Sequence, residues 1–171
     1  DYSKANFNTE EFFWKLFCDF YLESVKGRIY QGKGDKKLSA QYTLYNSLLT
    51  ILKMLAPIMP FITEEIYQTY FKKTEKVKSI HISKWPKYDK KLKGWNDKRI
   101  KSHANELTLF NDLLTQIRAE KTKAQKSMNS ECLITIEKLN YDDLKELLED
   151  LKAVTNAKEI KEGKFKVEFL D

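Results

Sequence analysis

FFWKLFCDFYLESVKGRIY, residues 12–30, is the stretch from which the fold is read. Phe12, Phe13, Leu16, Phe17, Phe20, Tyr21, Ser24 and Val25 recur at three- and four-residue intervals, while Lys15, Glu23 and Lys26 fall elsewhere. That spacing predicts an α-helix buried along one side, with Trp14 expected in the core. Its partner is LLTILKMLAPIMPFITEEIYQTYF, residues 48–71. The apolar stripe there passes through Leu48, Leu52 and Leu55, breaks at Pro57 and restarts at Pro60. Proline lacks the donor a helix interior needs, so Pro60 belongs in the first turn of a new helix and Pro57 near the end of the old one.

Working outward, Asn8 or Thr9 is an N-cap candidate ahead of Glu10 and Glu11, unless the first helix begins earlier. KGRIYQGKGDKK, residues 26–37, holds three glycines and five cations against Asp35, and reads as a flexible turn. Ser39 is expected to cap a second helix from Ala40 to about Ala56, and a third runs from Pro60 to about Lys73. Residues 72–99 are lysine-rich and interrupted by Pro86 and Gly94, which predicts a long connection pinned by Ile80, Ile82 and Trp85. A fourth helix, about Lys98 to Lys121, carries Ile100, Ala104, Leu107, Phe110 or Asn111, Leu114 and Ile117 on one face.

Beyond Ser127 the period changes. Cys132–Ile136 reads as a strand and Tyr141–Val154 as an amphipathic helix. Phe165, Val167 and Phe169 alternate with charged residues as a second strand, and Glu162 and Gly163 are expected to turn a hairpin from Ala157 to Phe169. The fold class is therefore mainly α: an antiparallel helical bundle over residues 1–126 with a small β-α-β-β appendage over residues 127–171.

The first stretch resembles a segment of the class I valyl-tRNA synthetases through Trp14, Phe17, Cys18, Asp19, Tyr21, Leu22, Glu23 and Lys26. APIMPFITEEIYQ, residues 56–68, resembles the segment that follows in those enzymes, and SIHISKWPK, residues 79–87, their S-I-H-x-x-x-W-P element. Three matches in family order cover roughly residues 10–125 and imply the helical anticodon-binding domain that follows the catalytic core. An isoleucyl or leucyl enzyme shares the bundle, but Asp19 and Glu23 stand where isoleucyl enzymes carry an arginine-rich string. The resemblance implies further helices and the catalytic core upstream, so an apolar face is expected to lie exposed. It also implies transfer RNA, with valine as the acceptor, and ATP as a cofactor of the parent enzyme only.

Composition fits such a protein. Of the 171 residues, 42% are hydrophobic and only five are glycine and three proline, a folded and mostly helical balance. Residues 1–126 hold 24 cations against 14 acids, a net +10, and residues 127–171 hold 7 against 11, a net −4. A basic body is a footprint for a polyanion, because lysines near phosphates release condensed counterions. No apolar run reaches membrane-spanning length and no signal-peptide pattern opens the chain, so a cytoplasmic setting is expected. Cys18 and Cys132 are expected to act as small hydrophobes.

Nothing in the sequence assembles chemistry. His81 and His103 lack the cysteines or carboxylates of a metal set, and no phosphate-cradling glycine motif or Ser/His/Asp grouping is present. No catalytic, metal or cofactor residues are therefore assigned, and recognition remains. The candidate RNA-binding residues are Lys26, Arg28, Ile29 and Tyr30 at the exit of the organising helix, with Lys33, Lys36 and Lys37 supplying field. Of these, the resemblance reaches Lys26 alone. Arg118, Lys121 and Lys123 form a second candidate group, whose plainer reading is cations placed favourably at a helix C-terminus. A solvated lysine loop, or a helical protein-interaction module without RNA, is the competing account; binding that weakens steeply with salt separates the two.

Overall fold

The computed structural model describes residues 1–87 and 97–170, and for residues 97–103 the backbone alone. Gly94 and the side chains of Ile100 and His103 lie outside the described residues. In chain order the elements are α1 (Tyr2–Glu11), a π-helix (Phe12–Leu22), α2 (Glu23–Tyr30), α3 (Gly34–Leu55), α4 (Pro60–Tyr70), α5 (Lys72–Glu75) and a 3-10 turn (Ile80–Ile82). There follow α6 (Asp97–Lys123), β1 (Cys132–Ile136), α7 (Lys138–Asp143), α8 (Leu148–Thr155), β2 (Ala157–Glu162) and β3 (Lys166–Phe169). The chain is mainly α with a small sheet near its C-terminus, as its periodicities indicate. It forms two compact units, Asp1–Leu22 with Gly32–Lys90 and Glu23–Gln31 with Lys91–Asp171. The change of periodicity near residue 127 is thus not where compactness divides, because the second unit takes in α2 and α6.

In the first unit α1 starts earlier than Asn8: the Asp1 carboxylate accepts the Ser3 N–H at 3.1 Å. Phe12–Leu22 then winds as a π-helix, whose i→i+5 bonds widen each turn to more than four residues. This winding changes which residues face inward. Phe17 is buried, and Phe13, Cys18, Tyr21 and Leu22 pack with it against Ile51 and Leu55 of α3. The rings of Phe13, Phe17 and Tyr21 stack successively with centroids 6.2 and 6.1 Å apart. Trp14, expected in the core, is instead 62% exposed, and Phe12 and Leu16 are exposed with it.

α3 begins at Gly34, not after Ser39, and presents a second buried face: Leu49, Leu52 and Ala56 against Tyr67, Phe71 and Ile80. The proline corner is as expected, with α3 ending at Leu55 and Pro60 at the first position of α4. Of the three residues expected to pin the connection, only Ile80 is buried; Ile82 and Trp85 are exposed. The anchor is polar instead. One Glu64 oxygen accepts Ser79 Oγ at 2.8 Å and the Ile80 N–H at 3.0 Å, and Ser79 caps the 3-10 turn by accepting the His81 N–H.

The second unit is built around α8, against which α2, α6 and β2 all pack. Its sheet has the order β2-β1-β3, with β1 parallel to β2 and antiparallel to β3. Cys132, Ile134 and Ile136 are fully buried, and Ile134 pairs with Ile160 on one side and Val167 on the other. The expected Ala157–Phe169 hairpin is therefore replaced by two strands on opposite edges of β1. The reason is apolar content: β1 has the residues for a central position, while the lysine- and glutamate-rich β2 and β3 suit edges. The expected single helix is also two, since the poor helix formers Asp142 and Asp143 end α7 and a tight turn, Leu147 N–H to Leu144 O at 2.7 Å, precedes α8. The order is accordingly β-α-α-β-β.

Candidate nucleic-acid interface

α2 shows first why a sequence rich in glycine and cations is still a helix. Gly27, read as part of a flexible turn, faces α8, where a Cβ on it would come within 2.9 Å of the Ala153 Cβ. Its lack of a side chain permits this close approach of the two helices. One turn on, Arg28 grips α8: Nε donates to Asp150 Oδ1 at 2.7 Å and Nη2 to Oδ2. Asp150 is buried and Arg28 only partly exposed, so the guanidinium fork is engaged within the fold. Arg28, placed among the RNA contacts by sequence, holds α2 on α8 through this pair.

The other candidates at this end remain accessible. Lys26 is exposed and pairs with Glu23 at 2.6 Å, Ile29 is half-buried, and Tyr30 is 79% exposed. A cleft of about 490 Å3 opens beside them, with Lys26, Tyr30 and Gln31 on one wall and Asn129, Glu149 and Lys152 among those opposite. An adjoining cleft of about 420 Å3 shares Glu23, Asn129 and Val154 with the first and reaches Arg118 on α6. Two groups of candidates that are some ninety residues apart in sequence therefore line neighbouring clefts of one unit.

Lys121 borders the second cleft but turns its charge into the fold. It is 1% exposed, and its ammonium donates to the carbonyls of Met128 at 2.9 Å, Ser130 at 2.7 Å and Thr155 at 2.6 Å. Three acceptors match the three hydrogens of an ammonium. Burial pulls the Lys121 pKa below its ordinary value of 10.5, opposed by the neighbouring Cys132 thiol, whose own pKa burial raises. Lys121 stands in the last turn of α6, as a helix-end cation does, and its side chain turns inward to close the loop between α6 and β1. Lys123 is exposed and paired with Glu120 at 2.6 Å. In the first unit, Lys33, Lys36 and Lys37 surround the start of α3 and make no ion pair among the described residues. Among the described residues no group of three His, Cys, Asp or Glu could hold a metal, and no helix is long and apolar enough to cross a membrane.

Residues 1–137 match the family described as the anticodon-binding domain of tRNA ligases. The chain belongs to this family. Its relatives include valine–tRNA ligases of Orientia tsutsugamushi (37% identical over 167 residues, 93% of this chain and 19% of that protein) and Ehrlichia ruminantium strain Gardel (42% over 155 residues, 88% and 18%). The valine–tRNA ligase of Rickettsia canadensis is 38% identical over 181 residues, 99% of this chain and 20% of that protein. The chain spans about a fifth of the length of these curated relatives. Membership places α1 to β1 in the anticodon-binding domain proper, while α7 to β3 lie beyond the matched residues. Even so, α8 supplies one wall of the cleft beside Tyr30. Sequence reading missed Gln31, Asn129 and Lys152 there: Gln31 is an uncharged residue inside the lysine-rich stretch 26–37, and the other two come near α2 only through the packing of α8.

Proposed function

We propose that this chain is the anticodon stem-loop-binding part of a valine–tRNA ligase. The observation that carries the reading is the match of residues 1–137 to an anticodon-binding domain, with relatives named as valine–tRNA ligases over nearly the whole chain. On this reading the catalytic core, which binds ATP, activates valine and joins it to transfer RNA, belongs to the same polypeptide outside these residues. The working compartment is the cytoplasm.

The binding chemistry divides between charge and shape. Lys33, Lys36 and Lys37 lie at the N-terminus of α3, where Gly34 takes φ +58° and no side chain caps the first N–H groups. Cations there oppose the helix dipole and gain nothing locally. Facing a phosphate they add to the field of the free N–H groups, which is the arrangement that binds anions. Ile29 and the exposed Tyr30 offer apolar and aromatic surface to an unstacked base, and Lys26, Arg118 and Lys123 add positive potential. The test is a salt titration of binding to a valine-acceptor anticodon stem-loop. Replacing Lys33, Lys36 and Lys37 together by Ala should weaken all stem-loops alike and reduce the salt slope by about 1 per lost phosphate contact. An unchanged slope rejects these lysines as phosphate contacts.

A further inference from the structure

α8 is fastened at both ends, and to two different helices. At its C-terminus the Lys121 ammonium of α6 donates to Thr155 O at 2.6 Å. The amide of Asn156, the left-handed residue that ends α8, donates to Asn129 O at 2.6 Å. Towards its N-terminus Asp150 receives the Arg28 fork of α2, and Ala153 seats Gly27. The first two bonds tie α8 to α6 and to the loop after it, and the other two contacts tie α2 to α8. α2 is therefore placed relative to α6 through α8, a helix beyond the residues that match the anticodon-binding family. On α2 stand the candidate contacts Lys26, Ile29 and Tyr30, and in the last turns of α6 stand Arg118 and Lys123.

We infer that Asp150 and Ala153 are positioning residues for RNA binding: they fix the rotation and depth of α2 so that its contacts and those of α6 meet one stem-loop together. This rests on the stem-loop reading above and goes beyond it, giving a role to the segment after residue 137. Neither residue is an RNA contact itself, since Asp150 is buried under Arg28 and has the wrong charge for a phosphate. The physical reason is pre-organisation. A bidentate pair to a buried carboxylate fixes direction, and a slot too tight for a Cβ fixes distance. Contacts already in place on two helices bind without the cost of ordering them at each encounter. A clamp of this kind and a phosphate contact at Arg28 predict opposite signs. Asp150→Asn removes a negative charge and releases Arg28, so charge alone would tighten binding to a polyanion, whereas loss of the clamp weakens it.

The experiment is a fluorescence-anisotropy titration of the 171-residue chain with a valine-acceptor anticodon stem-loop, reading affinity, stoichiometry and salt slope below the melting temperature of every variant. Gly27→Ala changes no charge. It should weaken binding about five- to tenfold, the cost of ordering side chains that the slot no longer holds, at unchanged slope and stoichiometry. Adding Ala153→Gly should return the affinity to within about twofold of the wild type. Asp150→Asn should also weaken binding, although it makes the chain more positive. Wild-type affinity in both single variants, or weakening that Ala153→Gly does not reverse, overturns the positioning role and leaves stem-loop binding standing. Tighter binding with a steeper slope for Asp150→Asn overturns it too and makes Arg28 a phosphate contact. So does a lower stoichiometry with unchanged affinity, which is damage to the fold alone. If the wild-type chain binds no stem-loop, the underlying reading falls and this inference with it.

Discussion

Lys121 shows how far a single residue can depart from what its sequence neighbours suggest. Replacing it by Met keeps most of the volume but leaves the carbonyls of Met128, Ser130 and Thr155 without their donor in a largely buried site. Lys121→Met should therefore cost about 3 kcal/mol in urea melts at neutral pH. A loss below about 1 kcal/mol would mean that water replaces the ammonium. The pH dependence has a definite sign. With the folded pKa pulled below 10.5 by burial, the unfolded chain binds more protons between the folded value and 10.5, so stability from this group rises with pH across that window. Below the folded value the full cost of burying the charge is present. Lys121→Met should flatten the rise; a rise of the same slope in the variant would assign it to another group. A second residue pair tests the π winding. Trp14→Ala should cost about 1 kcal/mol or less, because the indole is mostly in water and gains chiefly an edge contact with Phe13 at 4.8 Å. Phe17→Ala, in the core, should cost about 3 to 5 kcal/mol. Denaturant melts giving the opposite order would restore an α-helical register to this stretch.

Among the elements, α2 and α8 are held by the smallest side chain and the most directional one. Gly27→Ala gains about 1 kcal/mol of helix propensity, yet the added Cβ would meet Ala153 at 2.9 Å with helix backbone behind both. The expected net result is destabilisation of about 1 to 2 kcal/mol, relieved by Ala153→Gly in the double variant beyond what the single changes predict. A double-mutant cycle reads the coupling directly, and a coupling below about 0.5 kcal/mol would show that the helices part without cost. The helices themselves were legible: a helical segment over residues 12–25, the proline corner and the strand Cys132–Ile136 are all where local pattern puts them, although Phe12 and Leu16 of the expected stripe are exposed. Their ends were not. α2 runs through Gly27 and α3 starts at Gly34 because packing against α8 and the body of α3 outweighs the local cost of glycine in a helix.

For the whole molecule, the second compact unit draws on both ends of the chain. A truncation after residue 137 would remove Asp150 and Ala153, the partners of Arg28 and Gly27. Hydrogen exchange of such a truncation should show collapsed protection over residues 23–31, with protection kept in α3 and α4, whose core of Leu49, Leu52, Tyr67 and Phe71 lies in the first unit. Undiminished protection of α2 would instead support the division at residue 126 that the change of periodicity suggests. The sequence by itself determined the mainly helical class, the family, the corner at Pro60 and the basic field around α3, because each is written in residues within a turn or two of one another. Tertiary structure decided which face of residues 12–22 is buried, that Arg28 and Lys121 serve the fold, that β1 is central, and that α8 walls the cleft beside Tyr30. Those outcomes depend on partners 122 residues apart for Arg28 and Asp150 and 34 apart for Lys121 and Thr155. Local periodicity and charge do not encode such pairings; they arise when buried polar groups and close-packed surfaces find each other in the folded chain.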